Sequence, residues 1–129
     1  MARILIAEDE EALRSFVARA LAQDGHEVIA APDGAEALDL MIRHGGRFDL
    51  LLADIRMPVM DGIALALAAA RDYPNVIILL MTGYADQRER AHGLDALIHD
   101  VITKPFTLAE IRIAVNEALD QKSRNSRSM

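Results

Sequence analysis

Residues 50–62 read Leu-Leu-Leu-Ala-Asp-Ile-Arg-Met-Pro-Val-Met-Asp-Gly, an apolar run that ends abruptly at the acidic residue Asp54. The run lacks the polar–apolar alternation of a strand with one wet face, so it is typical of a strand that is buried on both faces. Such strands belong to parallel sheets that are covered by helices on either side. Four further runs have this character: Ile4–Ala7, Val28–Ala31, Val76–Met81 and a weaker one at Val101–Ile102.

Helical patterns follow each of these apolar runs. The first is an apolar stripe that Asp24-Gly25 ends, and its members are Leu13, Phe16, Val17, Ala20 and Leu21. Asp33 with Glu36, and Thr107 with Glu110, have the spacing of a capping box at a helix start. The four later helices are predicted from Asp33 to Gly45, from Gly62 to Tyr73, from Ala85 to Leu97, and from Thr107 onward.

The order of these elements predicts the fold class. Strands and helices alternate along the chain as βαβαβαβαβα, which indicates an α/β fold with right-handed crossovers. We expect a five-stranded parallel sheet with five helices on its two faces, in the flavodoxin-like (CheY-like) order 2-1-3-4-5. In such a sheet the functional crevice lies at the carboxyl ends of strands 1 and 3, where the strand order reverses.

The composition is that of one globular domain. The chain has 129 residues, of which 52% are apolar, and it contains no cysteine. A disulfide framework, a thiolate zinc site and a cysteine nucleophile are therefore excluded. The longest unbroken apolar run, Ile63–Ala70, is far shorter than the roughly 20 residues that span a bilayer. Because the N-terminus lacks a signal-peptide pattern, we expect a cytoplasmic protein.

Charge is distributed unevenly along the chain. Twenty acidic residues against fourteen basic ones give a net charge of −6. The last eight residues, 122–129, carry Lys122, Arg124 and Arg127 and no acid, so we predict a disordered basic tail there after a domain over residues 1–121. The acidic character of that domain argues against nucleic acid or a membrane surface as a partner.

Polar residues follow four of the five predicted strands. Glu8-Asp9 come after the first strand, Asp54 after the third, Thr82 after the fourth and Lys104 after the fifth. Each has an ordinary structural explanation on its own, as a helix cap, a turn residue or a charge near a helix start. All of them fall at the same edge of the predicted sheet, however, and this coincidence favours a functional site.

The chemistry of this edge can be argued from charge. Two carboxylates about 4 Å apart repel each other by roughly 4 kcal/mol at an effective dielectric of 20, so Glu8, Asp9 and Asp54 together favour a bound cation. Oxygen ligands without histidine or cysteine favour Mg²⁺. A carboxylate beside Mg²⁺ can attack a phosphoryl group, and Lys104 and Thr82 can then hold the phosphoryl oxygens. A positioned general base is missing, so rapid hydrolysis is not expected and we do not expect an enzyme.

These residues resemble the receiver domain of two-component response regulators, over a stretch from Met1 to about Asp120. The resemblance is carried by Glu8-Asp9, the segment Asp54–Gly62, Thr82-Gly83 and Lys104-Pro105-Phe106. It implies a receiver domain over residues 1–121 that receives phosphate from a histidine kinase or a histidine phosphotransfer protein. By this resemblance, Asp54 is the phosphoacceptor, and Thr82 and Lys104 bind phosphoryl oxygens. Asp9 binds Mg²⁺ directly, Glu8 binds it through water, and the Arg56 carbonyl is a further metal ligand. Pro105 follows a cis peptide bond.

A closer resemblance covers the fourth predicted strand and the helix and strand after it. The stretches Leu79–Arg90 and Leu94–Val101 are similar to the CpdR-type single-domain regulators. This resemblance implies phosphorylation-dependent control of substrate delivery to the ClpXP protease during the bacterial cell cycle. It implies that the unphosphorylated form engages the protease, through a surface formed by the last two helices and the strand between them, without an output domain.

The chain departs from the usual receiver pattern at two positions. Glu8 stands where aspartate is more frequent, and its longer side chain changes the geometry around a bound metal ion. Val101 stands where receivers usually carry an aromatic switch residue, so the common coupling between that ring and Thr82 is absent. Tyr84, two residues after Thr82, is the candidate replacement, and a half-packed loop tyrosine is the structural alternative.

Three rival functions remain open from the sequence. A haloacid-dehalogenase-like phosphatase also uses an aspartate nucleophile and Mg²⁺, but it needs a second acid two residues later, where this chain has Arg56. A flavin carrier on the same fold needs a phosphate-binding loop after the first strand, where Glu8-Asp9 would repel phosphate. A receiver that never takes phosphate is the third alternative. A stand-alone receiver with another target, such as a kinase or a motor, differs from the CpdR-type regulators only in its target.

Overall fold

The computed structural model describes residues 1–127, with side chains for 1–84 and 87–123. It contains one parallel sheet in the order β2-β1-β3-β4-β5, which confirms the predicted topology. The strands are β1 (Arg3–Ala7), β2 (Glu27–Ala31), β3 (Leu50–Asp54), β4 (Ile77–Thr82) and β5 (Asp100–Thr103). The helices are α1 (Glu11–Gln23), α2 (Gly34–Arg43), α3 (Gly62–Asp72), α4 (Ala85–His92) and α5 (Leu108–Arg127).

The sheet is buried on both faces, which explains its unbroken apolar strands. Successive side chains of a strand point to opposite faces, so each strand contributes to two cores. In β3, Leu51 and Ala53 belong to the core under α2, α3 and α4, whereas Leu50 and Leu52 belong to the core under α1 and α5. A polar residue at any of these positions would lie in one of the cores, so the strand reads as a continuous apolar run.

The strand register aligns the carboxyl ends of β1, β3, β4 and β5 along one edge of the sheet. Ala7 pairs with Ala53, so Glu8 follows β1 at the level where Asp54 ends β3. Thr82 pairs with Thr103 at the ends of β4 and β5, directly before Lys104. The sheet therefore places the predicted site residues at a single edge.

Capping residues explain where three of the helices begin. The Asp33 carboxylate accepts a hydrogen bond from the Glu36 N–H at 2.8 Å. Thr107 and Glu110 form a reciprocal capping box at α5, with bonds of 3.0 and 3.1 Å. At α3 the cap is Asp61, which accepts from the Ala64 N–H at 2.8 Å and which the sequence patterns did not single out.

Two local predictions differ from the structure. Phe16 is 50% exposed, whereas Val17, Ala20 and Leu21 of the same helix are buried and Leu13 packs partly buried against the core. Helix α4 ends at His92 rather than Leu97, because Gly93 takes the C-cap and the chain continues in turns. Helix α5 extends through Arg127, since neither glycine nor proline interrupts Leu108–Arg127, and the disordered basic tail over residues 122–129 stays a prediction. The last two residues of that predicted tail lie outside the described residues.

Across the described residues, no helix combines the length and the apolar character that crossing a bilayer requires.

Candidate functional site

An open cavity of about 920 Å³ lies at the carboxyl edge of the sheet. All the residues predicted for the site line it except Thr82 and Val101. Its wall is acidic after β1 and apolar where Leu13 of α1 and Phe106, which precedes α5, contribute. The predicted members in its wall are Glu8, Asp9, Asp54, Arg56, Tyr84, Lys104 and Pro105.

Three carboxylates and one ammonium group form the floor of the cavity. Glu8, Asp9 and Asp54 each offer a carboxylate oxygen, and these three oxygens lie within 4.8 Å of one another. Glu8 is 1% exposed and Asp54 is 7% exposed, whereas Asp9 faces solvent. The Lys104 ammonium lies 2.7 Å from Glu8 Oε1 and 3.3 Å from Asp54 Oδ2, so it neutralises only part of the negative charge.

Burial changes the ionisation of these groups. It raises the pKa of Glu8 and of Asp54, and the hydrogen bond and charge of Lys104 oppose this only in part. Burial alone would lower the pKa of Lys104, but its hydrogen bond to Glu8 and the charges of Asp54 and Glu8 outweigh this, so that pKa is raised as well. The ammonium therefore stays charged, and the carboxylates would gain from a second cation nearby.

The donor set suits a hard divalent cation. It consists of carboxylate oxygens, one of them on an exposed side chain, and the described residues that line the cavity include no histidine or cysteine. Mg²⁺ prefers such oxygen ligands and keeps several waters, which an open cavity allows. Glu8, Asp9 and Asp54 fit this ion, and Arg56, whose carbonyl is predicted as a further ligand, lines the same wall.

The loop between β1 and α1 is tied down around Glu8. Its carboxylate accepts from the Glu10 N–H at 3.0 Å, and its N–H donates to the Ala31 carbonyl at 3.1 Å. Arg14 Nη1 donates to the Glu8 carbonyl at 2.9 Å. Arg14 is not among the residues predicted from the sequence, although a cation close to a helix start is unfavourable for the helix dipole and indicates a partner elsewhere.

The loop between β3 and α3 folds back tightly under Asp54. The Gly62 N–H donates to the Ile55 carbonyl at 2.7 Å, and a Cβ on Gly62 would lie 2.2 Å from the Asp54 carbonyl oxygen. Only glycine permits this approach. The loop also carries Arg56, whose guanidinium carbon lies 4.8 Å from the centre of the Tyr84 ring at the mouth of the cavity.

Thr82 ends β4 next to the cavity, with its hydroxyl engaged by the loop that follows. Thr82 Oγ1 accepts from the Tyr84 N–H at 3.1 Å and lies 3.4 Å from the Tyr84 carbonyl. Tyr84 is 51% exposed and reaches the cavity through its ring. Val101 packs against the core under α2, α3 and α4, and its carbonyl accepts from Arg88 at 3.3 Å.

The segment after β5 completes the cavity. The Lys104–Pro105 peptide bond is cis, and the Lys104 N–H donates to the Thr82 carbonyl at 2.8 Å. This backbone bond joins the two residues that the sequence reading assigned to phosphoryl oxygens. The structure thus brings Glu8, Asp9, Asp54 and Lys104 close together, and Thr82 is joined to Lys104 by this backbone hydrogen bond.

Comparisons with known proteins agree with this geometry. The family model for the response regulator receiver domain matches residues 4–116. The sensor kinase CckA of Brucella abortus is 35% identical over 94% of this chain, and so is the response regulator MprA of a Mycobacterium species (strain KMS). The chain spans only 13% of CckA and 52% of MprA.

Solved structures match over nearly the whole chain. A CheY-like receiver domain protein from Methanospirillum hungatei superposes with a TM-score of 0.88 at 29% identity, over 97% of this chain and 98% of that one. TrrA from Thermotoga maritima, solved in complex with Mg²⁺-BeF, has a TM-score of 0.81 at 28% identity, over 92% of this chain and 99% of that one.

Proposed function

Because this chain belongs to the response regulator receiver domain family of two-component signalling, we propose that it is a switch phosphorylated on Asp54. One observation carries the proposal: Asp54 is 7% exposed, and its carboxylate belongs to an acidic cluster and lies 3.3 Å from the Lys104 ammonium. A nucleophile, a cation-binding cluster and a phosphoryl-binding amine are thereby close together. This arrangement supports transfer of a phosphoryl group to a carboxylate.

Glu8, Asp9, Asp54 and the Arg56 carbonyl would hold Mg²⁺ in this proposal. When bound, Mg²⁺ supplies positive charge that offsets the repulsion between the carboxylate and the incoming phosphoryl group. The Mg²⁺-BeF complex of TrrA supports the same arrangement by likeness. The exposed position of Asp9 leaves the metal open to solvent, which suits an ion that keeps part of its water shell.

The transfer itself uses residues of this chain. An Asp54 oxygen attacks the phosphorus of a phosphohistidine; the new O–P bond forms as the P–N bond breaks, and the leaving imidazole takes a proton from water. Lys104 then exchanges its contact with Asp54 for a phosphoryl oxygen. Before phosphorylation the Thr82 hydroxyl lies beside the Tyr84 carbonyl. After phosphorylation it would rotate and donate a hydrogen bond to another phosphoryl oxygen. The loop after β4 moves with it.

A phosphatase is disfavoured by the residue two positions after Asp54. A haloacid-dehalogenase-like enzyme needs an acid there to protonate the leaving group and to activate water. Arg56 has neither capacity, and its guanidinium lies over the Tyr84 ring. Receiver domains are in general signalling domains without turnover of their own, and we propose that role here.

The upstream partner in this proposal is a histidine kinase or a histidine phosphotransfer protein. Two of the relatives found, CckA and TmoS of Ectopseudomonas mendocina, are sensor kinases by name. We place no nucleic acid and no membrane among the partners, because the chain is acidic overall. The switch elements proposed are Thr82, Tyr84 and the valine at 101.

Downstream, we propose stand-alone action through α4, β5 and α5 in the manner of the CpdR-type regulators. The unphosphorylated form would engage the ClpXP protease and control substrate delivery. The proposal is supported by the similarity of Leu79–Arg90 and Leu94–Val101 to those regulators. A different target, such as a kinase or a motor, is the alternative outcome of the binding test below.

The phosphorylation proposal is tested by labelling the chain with a small acyl phosphate and Mg²⁺. We expect the intact mass to rise by one phosphoryl group in the wild type and not in Asp54→Asn. Asp39→Asn is the matched control, because Asp39 is an exposed carboxylate on α2 paired with Arg43. Label on Asp54→Asn, or none on the wild type with any donor, would overturn the proposal.

The downstream proposal is tested by binding to purified ClpXP with and without beryllofluoride, which mimics the phosphoryl group. We expect retention of the free chain and loss of retention with Mg²⁺ and beryllofluoride. Asp54→Asn should be retained under both conditions. If the chain takes the phosphoryl label but does not bind ClpXP with or without beryllofluoride, the downstream proposal is overturned and the target is another protein.

A further inference from the structure

We propose that Arg14 is a positioning residue for the metal-binding edge of the site. Its guanidinium Nη1 donates to the Glu8 carbonyl at 2.9 Å, across six residues of sequence. This inference rests on the proposed Mg²⁺ site and deepens it by naming what holds two of its carboxylates in place. No motif in the sequence reading assigned a role to Arg14.

Arg14 holds the peptide group that joins the two acidic residues. The carbonyl that accepts from Arg14 belongs to the Glu8–Asp9 peptide bond, and a peptide group is planar and rigid. Fixing that carbonyl therefore fixes the direction in which the chain leaves Glu8 and enters Asp9. The result is an inward Glu8, which is 1% exposed, beside an outward Asp9.

The other contacts of Glu8 show why its backbone needs this support. One carboxylate oxygen accepts from Lys104 at 2.7 Å and the other from the Glu10 N–H at 3.0 Å. Its N–H is held by the Ala31 carbonyl at 3.1 Å. Arg14 binds the remaining polar atom of the residue, so Glu8 can rotate neither its side chain nor its peptide plane without breaking a bond.

Two charge effects act on Arg14 in opposite directions. It lies in the first turns of α1, where the helix dipole repels a cation. Four consecutive acids precede it, Glu8 to Glu11, and they attract it. Arg14 can thus act on Mg²⁺ in two opposite ways: its hydrogen bond orders the ligands and strengthens binding, whereas its positive charge repels the ion and weakens binding. Loss of the hydrogen bond lowers the affinity for Mg²⁺, whereas loss of the charge raises it, so the direction of the change in a variant shows which effect is larger.

The test measures Mg²⁺ binding to the unphosphorylated full chain by titration calorimetry. Arg14→Met removes the donor and the charge but keeps the apolar stem, whereas Arg14→Gln restores an amide donor without the charge. Arg19→Met is the matched control on the same helix, because Arg19 has no hydrogen bond or ion pair with the described residues. Positioning predicts that Arg14→Met raises the Mg²⁺ dissociation constant by about tenfold, which is the lower end of the effect of losing a residue that holds metal ligands in place. Arg14→Gln should raise it less, and Arg19→Met should leave it unchanged or slightly lower.

A second readout separates positioning from simple stabilisation. Thermal unfolding with EDTA reports the stability of the metal-free chain, and the added shift with Mg²⁺ reports binding. Positioning predicts a smaller Mg²⁺-induced shift in Arg14→Met than in the wild type. A lower midpoint in EDTA with an unchanged Mg²⁺ shift would overturn the inference and leave Arg14 a purely structural residue.

The remaining outcomes are distinct. Tighter Mg²⁺ binding in Arg14→Met would mean that the charge of Arg14 dominates, and equal binding would mean that its hydrogen bond adds no net affinity. Either result overturns the inference while the proposed function stands. If Arg14→Met does not fold, Arg14→Leu, which also lacks both the donor and the charge, decides in the same way: weaker binding supports positioning, and equal or tighter binding contradicts it. Failure of the wild type to bind Mg²⁺ would overturn the proposed function, and this inference with it.

Discussion

At the scale of single residues, Gly62 has the strictest requirement in the site. It is eight residues from Asp54 in sequence, yet a Cβ on it would lie 2.2 Å from the Asp54 carbonyl oxygen and 2.8 Å from its carbonyl carbon. Both contacts are with backbone, which cannot rotate away as a side chain can. The loop that carries Arg56 therefore closes under the proposed phosphoacceptor only because this position has no side chain.

We expect Gly62→Ala to lower the free energy of unfolding by about 3 kcal/mol or more, the upper end of the range for overpacked positions. Denaturant unfolding measures this change. The control is Gly93→Ala at the end of α4, where nothing lies within 4 Å of an added Cβ, and which should change stability by less than about 0.5 kcal/mol. Equal losses in the two variants would contradict the role of the close approach.

Tyr84 makes two different contacts, one through its backbone and one through its ring, and a substitution can remove one of them without the other. The backbone engages the Thr82 hydroxyl, and the ring stacks with Arg56. Tyr84→Ala should keep the first contact and lose the second, so we expect it to take the phosphoryl label but to lose the response of α4 to it. Amide chemical shifts of α4 and β5 with Mg²⁺ and beryllofluoride measure that response, and Tyr84→Phe is the control. A normal response in Tyr84→Ala would remove Tyr84 from the switch.

At the scale of elements, α4 is held mainly by polar contacts. Of its described side chains, 87–92, only Ala91 is buried. Arg88 donates to the Thr103 hydroxyl at 2.6 Å, next to Lys104 in sequence. Arg90 pairs with Asp61, the N-cap of α3, at 3.1 Å. These contacts tie α4 to the segments on both sides of the cavity, and helices held in this way have low local stability and are suited to reporting a change there.

Asp61 therefore caps one helix and anchors another, and we expect Asp61→Ala to lower the free energy of unfolding by about 1 kcal/mol through loss of the cap. Asp61→Asn keeps a capping oxygen and removes only the charge. Denaturant unfolding of both variants separates the two contributions. An unchanged stability in Asp61→Ala would show that water replaces the cap without cost.

The charge of Asp61 also predicts a dependence on pH. Burial alone would raise the pKa of Asp61, but the Ala64 N–H and Arg90 outweigh it, so the pKa is lowered in the folded chain. The stabilisation is then complete above the unfolded pKa and is lost as the pH falls through the folded one. We expect the stability difference between wild type and Asp61→Asn to be constant above about pH 5 and to shrink below about pH 4. A difference that does not change over this range would refute the assignment.

At the scale of the whole molecule, the two edges of the sheet have separate tasks. The proposed site occupies the carboxyl edge, whereas the far end of α5 lies at the amino edge, where Lys122 contacts Asp49 at 3.4 Å. That contact is partly exposed, and neither of its two residues lines the cavity. The described end of α5 thus belongs to the support of the fold rather than to the site.

Truncation after residue 121 should accordingly leave phosphoryl labelling at the wild-type rate. It removes the Lys122–Asp49 pair, and an exposed pair of this kind is worth about 0.5 kcal/mol. Labelling kinetics and denaturant unfolding measure the two effects on the same preparation. Slower labelling of the truncated chain would mean that the amino edge is coupled to the site.

Much of the fold and part of the site follow from local patterns. An apolar run with no alternation, a capping box and a glycine after a helix are properties of neighbouring residues, and they predicted β3, α2 and α5 before any contact was known. Parallel pairing then brings strand ends together by necessity, so the grouping of Glu8, Asp9, Asp54 and Lys104 could be anticipated. Local energetics and the regular geometry of a parallel sheet are sufficient for these conclusions.

Only the tertiary structure decided which atoms meet at that edge. Lys104 lies closer to Glu8 than to Asp54, across 96 residues of sequence, and Arg56 lies over Tyr84 instead of over the carboxylates. Side-chain pairing of this kind depends on distances of a few tenths of an ångström and on which groups are desolvated together. Neither quantity has a counterpart in the order of the residues, because both arise when distant segments pack.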